Sequence, residues 1–108
     1  MLRPGIDTQL DIPADLITRA DEAEEAANQA LLEANNLSGW RRLAEARRKL
    51  AETYREVRTW CALSPSLWRA MDLASRAMAA EADRAHAHAA RLDAYRAGLG
   101  RGTGGDQR

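Results

Sequence analysis

From residue 40 onward, apolar side chains return in alternating three- and four-residue steps: Trp40, Leu43, Leu50, Tyr54, Val57 and Cys61, with Arg47 in the one polar place. That spacing is a heptad seam, the signature of a helix with one face against a neighbour. The same alternation precedes it at Leu16, Ala20, Ala23, Ala27, Ala30 and Ala34, where Ile17 and Leu31 widen the stripe on one side enough to touch two neighbours. It follows again at Leu67, Met71, Ala74, Met78, Ala85, Leu92, Tyr95 and Leu99, with Glu81 and His88 as polar interruptions.

Turn chemistry divides these stripes. Asp11 to Pro13 suits a helix start, Asn35 and Asn36 a stop, and Ser38 an N-cap. Ser64-Pro65 ends one helix and starts the next, with proline at a first helical position. The pattern predicts an extended arm over residues 1–12, helices over about 13–35, 38–63 and 65–98, and a flexible tail over 99–108 that begins among five of the chain's seven glycines. The expected fold is all-α: an antiparallel three-helix bundle or helical hairpin, with heptad seams and a long C-terminal helix. Because that helix starts where the second ends, its surplus from about Ala90 to Leu99 should overhang the connector between the first two.

Charge refines the packing. Residues 1–37 hold two arginines against eight acids, whereas residues 38–63 hold seven basic residues against three. The acidic first helix is therefore expected to screen the basic second one. Over the whole chain the 16 basic and 16 acidic residues balance, so no overall field draws it to nucleic acid or an acidic membrane. The single cysteine excludes an intrachain disulfide. No apolar run approaches the roughly 20 residues that span a bilayer, and MLRPGIDTQLDIP lacks the core of a signal peptide. The expectation is a cytoplasmic protein, or one built into a particle assembled inside the cell.

Chemistry is sparse. His86 and His88, two residues apart, point to opposite sides of a helix and cannot share an ion. Asp83 and His86 have the spacing of half a helical carboxylate-histidine pair, without the second half. The terminal GRGTGG lacks the Lys-Ser/Thr of a phosphate loop, and Cys61 sits on a seam. These features predict no enzyme, cofactor, metal or small-molecule site.

What remains are surfaces. Trp60 and Trp68 flank the Ser64-Pro65 corner, either closing the bottom of the bundle against Leu10 and Ile12 or forming a partner-binding hot spot. Leu92, Tyr95 and Leu99 line the expected overhang, a helical stripe suited to another helix or a groove. An alanine-rich core with few large anchors is marginal alone, which favours self-association or docking on another protein. The first functional expectation is thus a non-enzymatic helical assembly protein, possible contexts being a phage virion or another mobile element. The alternative is a nucleic-acid accessory or regulatory protein using Arg41, Arg42, Arg48 and Lys49 on the second helix.

Overall fold

The computed structural model describes residues 12–105, with side chains through Leu99. It is all-helical: α1 is Ala14–Leu32, α2 is Leu37–Thr59 and α3 is Pro65–Gly105. The arm over residues 1–11, including any cap from Asp11, lies outside the described residues.

Local chemistry sets each boundary. Pro13 supplies the first acceptor of α1, its carbonyl taking the N–H groups of Leu16 and Ile17 at 3.0 and 3.2 Å. The α1–α2 turn closes through the N–H of Asn35 on the Glu33 carbonyl. Asn36, with extended backbone, then caps α2: its Oδ1 accepts the Gly39 N–H at 2.8 Å. Sequence reasoning placed that cap on Ser38. Asn36 serves because it puts Gly39 at the third helical position, where no side chain fits. A Cβ there would lie 2.7 Å from the Glu33 carbonyl oxygen and 3.1 Å from the Ala34 Cα. The N–H groups of Trp60 and Cys61 turn back onto the Val57 and Arg58 carbonyls, so α2 ends at Thr59, short of the expected 63. Ser64 and Pro65 start α3 as expected, the Ser64 carbonyl accepting the Trp68 N–H at 2.8 Å.

These glycines make a paired prediction. Gly39→Ala should cost about 1 kcal/mol, because the backbone contact outweighs alanine's better helix propensity. At Gly98 an added Cβ meets nothing within 4 Å, so Gly98→Ala should favour the helix by up to about 1 kcal/mol. Thermal melts and far-UV circular dichroism of both variants test the pair; stabilisation by both would contradict the tight turn at Gly39.

α2 is the central element. It runs antiparallel to both neighbours and packs on both, while α1 and α3 bring no described Cα atoms within 8 Å of each other. Three apolar clusters line up along it. Leu16, Val57 and Cys61 form the corner end, with Ile12, Ala20 and Met71 against them. Ala23, Ala27 and Leu50 form the middle, with Tyr54 and Met78. Ala30, Leu43, Ala44 and Ala85 form the far end, with Ala34 and Trp40. The wide stripe expected on α1 does not find a second neighbour: Ile17 and Leu31 are each 49% exposed. The α2–α3 contact is largely alanine, with Ala51, Ala82, Ala85 and Ala89 all at or below 2% exposure, and methyl-lined seams let helices approach to about 8 Å.

At 1.5 Å per residue α3 is about 60 Å long, against about 35 Å for α2. Among the described residues Ala89 is its last fully buried one, and Arg41–Asp93 its last ion pair with α2. The helix then continues to Gly105, where a flexible tail was expected from 99. Glycine lowers helix propensity but leaves the N–H donor in place, and no proline intervenes in residues 99–105.

Candidate interaction surfaces

Ion pairs fix the α2–α3 register. Arg41, Arg47, Arg48 and Arg58 of α2 pair with Asp93, Glu81, Asp83 and Asp72 of α3. The expectation that acidic α1 would screen part of basic α2 is corrected here: between those helices the described residues show one ion pair, Arg19–Glu56, and it runs the other way. The carboxylates on α3 follow α2's basic stripe in antiparallel register, whereas Asp21, Glu22 and Glu25 line the outer side of α1.

Asp72 is the most constrained of these groups. It is 7% exposed and takes both Arg58 and Arg76, and the Arg58 guanidinium lies 5.1 Å from the Trp68 ring centroid. This ties the Trp corner to the α2–α3 interface. Glu81 binds Arg47 at 3.4 Å and also takes Arg84 on its own helix. The Arg84 hydrogen bond lowers the Glu81 carboxyl below its ordinary range; desolvation opposes this, and the Arg84 and Arg47 charges add to it.

The buried hydroxyls are satisfied locally. Thr53 donates to the Lys49 carbonyl at 2.8 Å and Ser75 to the Asp72 carbonyl at 3.0 Å. Cys61, 1% exposed, donates to the Val57 carbonyl, and burial pushes its thiol pKa up, the state of an unreactive core cysteine. Tyr54 donates to Glu24 of α1. Burial, aided by that hydrogen bond and by the Glu24 charge, pushes the Tyr54 phenol up to about 12 from an ordinary 10.0.

An unfolded tyrosine therefore releases its proton before the folded one does. The stability that Tyr54 contributes is complete below pH 10 and is lost as pH rises from there through about 12. The melting temperature should fall across that window, and Tyr54→Phe should flatten the fall. An unchanged alkaline slope in the variant would rule this linkage out.

The candidate interface residues fall in two groups, all exposed except Leu92. Trp60 is 44% and Trp68 39% exposed at the corner, accompanied by Leu63 at 69% and Leu67 at 39%. Ala62, Pro65, Trp68 and Arg69 line an open depression of about 510 Å³ there. At the other end Leu92 is half-buried, while Tyr95 is 66% and Leu99 54% exposed. The sequence missed Leu73, 62% exposed on the back of α3, because it lies off the heptad steps.

The basic residues are dispersed. Arg41 and Arg48 are paired with α3 carboxylates, and Arg42 donates to Ser38 Oγ. Lys49 lines a separate depression that also contains Glu33, Glu45 and Arg42. His88 packs edge-on to Trp40 at 4.3 Å between ring centroids, and Arg91 reaches its Nδ1. His86 lies apart from it, beside Arg41 and Arg48. Among the described residues no three His, Cys, Asp or Glu side chains converge to hold a metal, and no helix is long and apolar enough to cross a membrane. No protein-family model, curated protein or solved structure matches the chain.

Proposed function

We propose that this chain is a helical interaction and assembly protein that joins itself or another protein through the projecting end of α3, without a catalytic step of its own. The observation that carries this reading is the length mismatch between α3 and α2. Past Asp93 the helix has no ion pair to α2 among the described residues, yet it keeps an apolar stripe in step with the buried one. Holding a large aromatic such as Tyr95 two-thirds exposed on a rigid rod is costly in water and favourable once a second apolar surface covers it.

Truncation after Ala89 removes the overhang and leaves every residue of the three apolar clusters in place. The shortened chain should keep a cooperative helical melt and lose association, read as absolute mass by light scattering across a concentration series. A truncated chain that associates as strongly as the parent would refute the reading.

A further inference from the structure

We propose that the Trp corner is covered by the chain's own N-terminal arm, residues 2–11, laid across it as an extended strand. The arm lies outside the described residues, and three observations lead to the corner as its seat.

The first is where the arm joins the bundle. Ile12 is half-buried and packs on the corner cluster of Leu16, Val57 and Cys61. Cys61 belongs to the α2–α3 turn that also carries Trp60 and Leu63, so the arm departs from the end of the molecule where the patch lies. Ten extended residues reach roughly 33 Å, more than the 21 Å width of the molecule. The arm can therefore cross the whole corner.

The second is phase. Counting back from Ile12, alternate residues are Leu10, Thr8, Ile6, Pro4 and Leu2, and the intervening ones are Asp11, Gln9, Asp7, Gly5 and Arg3. A two-residue alternation of this kind is the pattern of a strand with one apolar side. Ile12 shows which side is turned inward, because the apolar phase is in step with a residue already packed on the core. Pro4 fits as well, since a lone strand laid on side chains needs no ladder N–H.

The third is what the corner offers. Trp60, Leu63, Leu67 and Trp68 are exposed together there, beside the open depression lined by Ala62, Pro65, Trp68 and Arg69. Arg69 has no ion pair among the described residues. The polar phase of the arm supplies Asp7 and Asp11 as counter-charges, so an apolar strand with carboxylates along it meets an apolar patch with a guanidinium at its rim.

The test uses the full chain and reads the tryptophan indole N–H signals by NMR in the presence of a soluble paramagnetic agent, which broadens exposed groups. Trp40, toward the other end of α2 and about 30 Å from Trp60, is the internal control. Ile6→Asp puts a charge into the apolar phase and should about double the broadening at Trp60 and Trp68 while leaving Trp40 unchanged. Gln9→Asp adds the same charge out of phase and should leave all three signals as in the parent. Residues 6 and 9 lie outside the three apolar clusters, so neither variant removes a core contact. Equal broadening by the two variants, or none by Ile6→Asp, would overturn the proposal. So would corner protection that fades when the parent is diluted, because the arm would then be seated on another copy and not on its own chain. The truncation test of the overhang is independent of each of these outcomes.

Discussion

Leu43→Ala should cost this protein about 3 kcal/mol and lower its melting temperature by roughly 15 °C. Leu43 is 0% exposed and the one large fully buried side chain in a cluster that joins all three helices through Ala30, Ala44 and Ala85, with Trp40 partly buried at its edge. Alanine neighbours have no side-chain length with which to fill the space left behind, and the cavity would persist. A chain of this size has a net stability of only about 5 to 10 kcal/mol, so a large share would disappear. Leu32→Ala, at a site 80% exposed, should stay within about 0.5 kcal/mol. A Leu43→Ala melt within a few degrees of the parent would mean that the far cluster is not a packed core.

Ala82→Leu is the complementary experiment, and it should also destabilise, by about 2 kcal/mol. Leucine is more apolar than alanine and nearly as good a helix former, so burial and propensity alone predict a gain. Ala82 is 0% exposed on the α2 side of α3, one of a run of buried alanines with Ala85 and Ala89. Three extra carbons there have to push α2 and α3 apart, which would strain the Arg47–Glu81 and Arg48–Asp83 pairs beside them. Ala80→Leu, two residues back and so on the opposite, exposed side of the helix, serves as the control and should be close to neutral. Urea denaturation of both variants gives the comparison directly, and a stabilised Ala82→Leu would reveal an unfilled void in the seam.

The two experiments also show which features the sequence could disclose. Heptad steps at Trp40, Leu43, Leu50, Val57 and Cys61 identified the central helix, because periodicity is a one-dimensional signal that burial obeys directly. The Ser64-Pro65 corner was legible for the same reason, proline's fixed geometry being local. The α2 cap was not: Asn36 and Ser38 are both competent caps, and the tie is broken by the contact of Gly39 with the Glu33 carbonyl, visible only in three dimensions. Net charge also misled. It counted carboxylates along each segment and matched α1 to α2, whereas side-chain reach and register decided in favour of Asp72, Glu81, Asp83 and Asp93 on α3. Of the candidate surface, the overhang followed from helix lengths, which are additive. Leu73 and the exposed alanines beside it were invisible because alanine reads as core or surface with equal ease.

The uneven distribution of ion pairs has a consequence for the order in which the molecule comes apart. Four cross-helix pairs hold α3 to α2, while α1 is held by alanine contacts, Leu16, the Arg19–Glu56 pair and the Tyr54–Glu24 hydrogen bond. The α2–α3 hairpin can therefore outlast α1. In deuterated buffer the amides of α1 should exchange through a partial opening, well before the protected amides around Ala51 and Ala82. Below the global transition, the first helix would then open as a strap from a hairpin that remains closed.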